Sequence, residues 1–240
     1  MSPIVIMLAL LFPGQPAADT FETDTFQTDK GNLAITFIGH GTLMMMWDGK
    51  IIHIDPVSRE ADYSKLPKAD LVLITHEHDD HLDPATIARL RKPGTKVIVS
   101  KSCEGKVPGE TILLSGQSAT DDGIGIDAVP AYNLLHKRPD GKPFHPKGNG
   151  NGYVLTMGGK RIYIAGDTEN IPEMKNLKDI DIAFLPMNLP YTMTPGQTAE
   201  AARSFMPKIL YPYHFGQTDP QKLVELLKDT PIDVRVRKME

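Results

Sequence analysis

Residues 75–83 read Thr-His-Glu-His-Asp-Asp-His-Leu-Asp and follow on the apolar run Leu71–Thr75. The apolar run predicts a short buried strand. The segment after it puts His76, His78, Asp80 and His81 within six residues. On a regular strand, neighbouring side chains point to opposite faces. Where they emerge from a tight turn at a strand end, they can converge on one point. Imidazole nitrogens with a carboxylate suit zinc, with iron and manganese as alternatives. A solvated polar loop would explain a lone histidine in such a place, but not three histidines and an aspartate together.

Working outward, the chain is a succession of short apolar segments. Strands are expected at Leu33–Ile38, Thr42–Trp47, Lys50–Ile54 and Lys96–Ser100, then at Ile124–Pro130, Tyr153–Met157, Arg161–Ala165, Ile182–Pro186 and Ile209–Tyr213. Asp48-Gly49 and Gly158-Gly159 are hairpin signals. Helices are expected at Pro84–Leu90, Ile171–Leu177, Gln197–Phe205 and Pro220–Lys228, the first entered at Asp83-Pro84. Each half has a hairpin and then strands alternating with helices, which predicts an α/β fold of two sheets packed face to face with helices outside. Met44-Met45-Met46-Trp47 reads as strand core.

Composition narrows the function. The 240 residues are 40% hydrophobic and 23% charged, an ordinary globular balance. With 26 basic against 30 acidic residues the net charge is −4, so no general affinity for nucleic acid is expected. Cys103 is the single cysteine, which excludes an internal disulfide and a thiolate zinc ribbon. Neither Gly-x-Ser-x-Gly nor a phosphate-binding Gly-x-x-x-x-Gly-Lys loop occurs.

The N-terminal run Ile4–Phe12, followed by the breaker-rich PGQPAA, is too short to span a membrane at ~1.5 Å per residue. It suits a secretory signal over residues 1–18, although no Lys or Arg precedes Lys30. A periplasmic or secreted protein is therefore expected, with a cytoplasmic one as the alternative. Residues 19–32 are expected to form a polar tether or edge strand, and 33–240 the main domain.

The Thr-His-Glu-His-Asp-Asp-His run resembles the signature of the metallo-β-lactamase superfamily. Asp55 in IIHIDP, Asp167 in YIAGDT and His214 in YPYHFG match that family's further motifs, in order and at strand ends. VPAYN, FHPKGNGNGY and RIYIAGDTENIPEM resemble the branch of ascorbate-6-phosphate lactonase-like and N-acylphosphatidylethanolamine phospholipase D-like hydrolases. The resemblance implies a four-layer αββα sandwich holding two divalent metal ions. His76 and His78 would bind the first, Asp80, His81 and His214 the second, and Asp167 both. The third histidine of the first site is favoured as His145, beside the glycine-rich turn 148–152, with His136 and Asn133 as alternatives. Asp55 is expected to orient a ligand imidazole from behind, or else to be a turn residue before Pro56.

The implied chemistry is hydrolysis of a small ester, lactone or phosphodiester by a hydroxide bridging the metals, with Asp80 or Asp167 receiving a proton. The alternative is a metal-sensing or diiron redox protein on the same ligands. Lys137, Arg138, Lys142 and Lys147 lie close to His145 and form either an anion-binding loop or a solvated one. Tyr191 and Met193 either line a pocket or pack on the helix that follows.

Overall fold

The computed structural model describes residues 21–239. The predicted signal segment 1–18 lies outside the described residues. Among the described residues, no helix is long and apolar enough to cross a membrane.

The first sheet has seven strands in sequence order: β1 (Glu22–Thr28), β2 (Gly31–Gly39), β3 (Thr42–Trp47), β4 (Lys50–Ile54), β5 (Leu71–Ile74), β6 (Lys96–Val99) and β7 (Thr111–Ile112). The second also has seven, from β8 (Ser118–Asp121) through β9 (Ile124–Ala131), β10 (Gly150–Met157), β11 (Lys160–Ile164), β12 (Ile182–Pro186) and β13 (Ile209–Tyr213) to β14 (Asp233–Val234). Each sheet begins as an antiparallel meander and then turns parallel, the first from β4 to β5 and the second from β11 to β12. The residues at 22–28 form an edge strand paired in full register with β2.

Period-two alternation decides what each strand buries. Leu71 and Leu73 of β5 join the core between the sheets, while Val72 and Ile74 face the other way with Ile87 and Leu90 of helix α1 (Pro84–Leu90). A strand covered on both faces reads as an unbroken apolar run, as this one does. Behind the second sheet lie α2 (Pro195–Phe205) and α3 (Gln221–Leu227), which contribute Ala199, Ala202, Phe205, Leu223 and Leu227 to the main core. The result is the αββα sandwich, its first helical layer holding one short α-helix among the described residues.

Three expectations need correction. The helix at Ile171–Leu177 is a 3₁₀ turn over Pro172–Asn176, too short for α-helical bonding to take hold. Helix α2 starts two residues early because Thr194 and Gln197 form a reciprocal capping box ahead of Gln197. Of the methionine run, Met45 is fully buried and Met46 is half exposed, as strand alternation requires.

The glycine-rich stretch is also more than a turn. Residues 150–152 already belong to β10, where a Cβ on Gly152 would sit 2.8 Å from the Ala165 carbonyl oxygen and 3.0 Å from that of Ile164. The glycine is thus fixed by close backbone approach. At the same point Asn151 N–H donates to the Thr75 carbonyl at 2.9 Å, and Tyr153 O–H donates to the Ile74 carbonyl at 2.8 Å. These bonds tie the second sheet to the end of β5, where the histidine run begins.

Candidate metal centre

The site residues all leave strand ends or the loops beyond them. Asp55 follows β4, residues 76–81 follow β5, Asp167 follows β11 and His214 follows β13. His40, Asp55 and His214 adopt left-handed backbone conformations, with φ of 48°, 47° and 46°. These angles are uncommon for non-glycine residues, although Asp and His tolerate them better than most. They turn the chain sharply at the strand end and aim the side chain inward.

The side chains meet around the buried carboxylate of Asp167. Its oxygens lie 3.2 Å from His145 Nε2, 3.4 Å from His214 Nε2, 3.5 Å from His81 Nε2 and 3.9 Å from His76 Nε2. Asp80 Oδ2 lies 3.3 Å from both His214 Nε2 and His40 Nε2. His78 Nδ1 is 3.1 Å from His76 Nε2. Three overlapping groups have donor atoms all within 4.8 Å of one another: His76, His78 and His145; His76, His81 and Asp167; and His40, Asp80 and His214.

What holds the imidazoles is as informative as where they are. Asp55 is fully buried and accepts from Thr75 N (2.7 Å), Thr75 Oγ1 (2.6 Å) and His81 Nδ1 (2.7 Å). With its proton spent on Asp55, the Thr75 hydroxyl oxygen accepts from His76 Nδ1 at 3.0 Å. Asn133 Oδ1 accepts from His145 Nδ1 at 2.7 Å. In each case Nδ1 is the bonded nitrogen, which leaves Nε2 to face the centre.

His136 is placed elsewhere. Glu169 accepts from the backbone N–H groups of Leu134, Leu135 and His136 and from the Asn133 amide, and its carboxylate lies 3.0 Å from His136 Nδ1. Of the three alternatives for the third position, the structure brings His145 to the cluster. Asn133 stands behind it, and His136 braces the loop.

Electrostatics fit the geometry. Burial, helped by neighbouring His81, holds His76 well below its ordinary pKa, and burial with His145 lowers His78, so both keep a free lone pair near neutrality. Burial opposes ionisation of Asp167, but His214, His81 and His145 outweigh it and keep the carboxyl well below the usual range. Asp80 is likewise driven low, against burial, by its bonds to His214 and His40. His81 moves the other way, to about 9: burial lowers it, and Asp167, Asp55 and Asp80 overcome that.

The centre is short of internal partners. Among the described residues, His81 Nε2, His145 Nε2 and Asp167 Oδ1 are buried without an aligned hydrogen bond. Imidazole Nε2 atoms turned inward beside ionised carboxylates fit a cation, which would replace the proton that His81 holds.

Sequence reasoning missed His40 and Glu169. His40 sits between Gly39 and Gly41, and a Cβ at Gly41 would lie 2.8 Å from the His81 ring. A histidine bracketed by glycines at a strand end was the available signal. Glu169 left none, because its role depends on a loop folding back from 33–36 residues earlier in the chain.

The centre opens into a cleft of about 380 Å³, walled by Arg138, Phe144, Asn188 and Tyr191. Tyr191 lines this opening, whereas Met193 is fully buried in the core. Cys103 is buried and free, and it belongs to none of the three groups.

Comparison with known proteins agrees with this architecture. Residues 34–214 match the beta-lactamase superfamily domain. A UPF0173 metal-dependent hydrolase of Thermococcus onnurineus is 32% identical, covering 81% of this chain and 92% of its own. A crystal structure from Parabacteroides distasonis, provisionally named a metal-dependent hydrolase, is 52% identical with a TM-score of 0.88, over 92% of this chain and 100% of that one. Igni18, a metallo hydrolase of Ignicoccus hospitalis, is 29% identical with a TM-score of 0.70, over 87% of this chain and 96% of that one. The chain therefore belongs to the beta-lactamase superfamily, among its UPF0173 relatives.

Proposed function

We propose that this protein is a metal-dependent hydrolase holding two divalent ions, zinc by preference with manganese or iron as alternatives, and acting on a small ester, lactone or phosphodiester. The observation that carries the reading is the ring of imidazoles around Asp167, with Nε2 of His81, His76 and His145 turned inward by Asp55, Thr75 and Asn133. His76, His78 and His145 would hold one ion, and Asp80, His81 and His214 the other, with Asp167 between them. When bound, such ions lower the pKa of water from ~15.7 toward ~7 and polarise the substrate oxygen.

The chain's own residues supply the rest. Asp55, Thr75 and Asn133 fix tautomers before substrate arrives, so no reorganisation is needed during the reaction. Asp80 faces the cleft, but its neighbours keep it ionised, so it serves as ligand and hydrogen-bond acceptor rather than as a strong base. Phe144 and Tyr191 form an aromatic wall on one side of the opening.

The test is turnover of methyl 4-nitrophenyl phosphate and 4-nitrophenyl acetate by zinc-loaded protein and by His78→Ala. Turnover abolished by the substitution is the expected result. Activity unchanged in His78→Ala defeats the reading.

A further inference from the structure

We propose that Arg138 forms an oxyanion-binding subsite at the mouth of the cleft, so that the natural substrate carries a carboxylate or phosphate group close to its scissile bond. The inference rests on the hydrolase reading and adds the substrate class to it.

Of the four basic residues in this loop region, two are spoken for. Lys142 lies 3.7 Å from Asp140, and Lys147 lies 2.7 Å from Glu173. Arg138 meets no carboxylate among the described residues. Its Nη2 instead reaches into the cleft, 3.1 Å from His78 Nε2 and 3.3 Å from the Phe144 carbonyl oxygen. The side chain is exposed, yet its backbone is held: Arg138 N–H donates to the Lys142 carbonyl at 2.7 Å, and Gly141 N–H donates to that of Arg138 at 2.9 Å. The guanidinium carbon stands 5.4 Å from the Phe144 ring centre. A held loop thus presents to the opening a guanidinium with no carboxylate partner among the described residues.

His78 explains why an anion belongs there. Its Nδ1 faces His76 and the inner donors, and its Nε2 faces Arg138. With Nδ1 as the ligand atom of the proposed site, Nε2 would carry the ring hydrogen. Arginine has donors only. The two groups would then face each other as a pair of donors, and an oxyanion placed at both would satisfy them together. Beside this point, Phe144 and Tyr191 meet edge to face at 5.1 Å, which gives an apolar wall for the remainder of the molecule.

The experiment is calorimetric titration of inorganic phosphate, and separately of butyrate, into zinc-loaded wild type, Arg138→Gln and Arg138→Lys, with urea unfolding of each variant to verify its fold. Loss of a charged hydrogen bond predicts a Kd raised about ten-fold or more in Arg138→Gln, with partial recovery in Arg138→Lys. The anion showing the larger loss identifies the oxyanion class. Equal affinity of wild type and Arg138→Gln for both anions, or no binding of either to wild type, overturns the subsite. In parallel, the ratio of kcat/KM for mono-4-nitrophenyl succinate, which carries a carboxylate close to its scissile ester, over neutral 4-nitrophenyl acetate should fall about ten-fold in Arg138→Gln. Absence of turnover of both esters by wild type would defeat the hydrolase reading, while the titration still decides the subsite.

Discussion

Asn133 Oδ1 lies 2.7 Å from both the backbone nitrogen and the ring Nδ1 of His145. Its amide nitrogen is in turn bound to Glu169 Oε1 and to the Tyr191 carbonyl, each at 2.9 Å, so the amide cannot flip. The oxygen must face the histidine, which fixes the tautomer of His145. Asn133→Ala is expected to lower metal affinity by about ten-fold or more, as measured by competition with a chromophoric chelator. Unchanged affinity would remove the positioning role.

Gly152→Ala is expected to destabilise the fold by roughly 1–3 kcal/mol, since the added methyl meets two backbone carbonyls that cannot swing aside. Urea unfolding measures it. Gly148→Ala, with open space around it but a φ of 87°, carries only the cost of its backbone conformation and serves as the comparison.

The sequence made the fold class legible because apolar runs such as Leu71–Ile74 and Ile182–Pro186 are bounded by turn residues and buried on both faces. It made the histidine cluster legible for a different reason, since His76, His78, Asp80 and His81 are local in the chain. What stayed hidden was non-local. Whether His136 or His145 enters the cluster is decided by Glu169, which gathers three consecutive backbone N–H groups at 134–136 and holds His136 away. The glycine-rich turn after His145 pointed to that residue, but nothing in residues 133–145 shows that Glu169 gathers the loop. His40 escaped because a single histidine in a turn is unremarkable until the second half of the chain brings His214 to a ring separation of 3.9 Å.

Backbone geometry at His40 yields a prediction that reverses the usual rank of two substitutions. With φ at 48°, His40→Gly should be more stable than His40→Ala by about 1 kcal/mol, the opposite of their order in a helix. Chemical denaturation of the two variants decides it, and Ala at or above Gly would contradict the assigned conformation.

Asp83 caps helix α1, accepting from the N–H groups of Ala85 and Thr86, and also accepts from Ser58 N–H. Burial raises its pKa, but the bonds from Ser58 and Thr86 outweigh this and bring it from 3.8 to about 2. A folded-state value below the unfolded one means the contribution is fully present above about pH 4 and is lost as pH falls through about 2. Asp83→Ala should therefore cost about 1 kcal/mol near neutrality. The gap from wild type should close on acidification, and a gap that persists unchanged at low pH would contradict the assignment.

The strand-end placement of the donors has a consequence for assembly. His76, His78, Asp80 and His81 hang from the first sheet, and Asp167 and His214 from the second, so a cation at their meeting point would bond to both halves of the molecule at once. Its binding energy would then act as docking energy between the sheets, available only when both are folded and in register. A protein nicked between β7 and β8 would still share the apolar core between its sheets, and metal would be expected to tighten the association of its two pieces further, so that metal titration becomes an assay for how the two halves recognise each other.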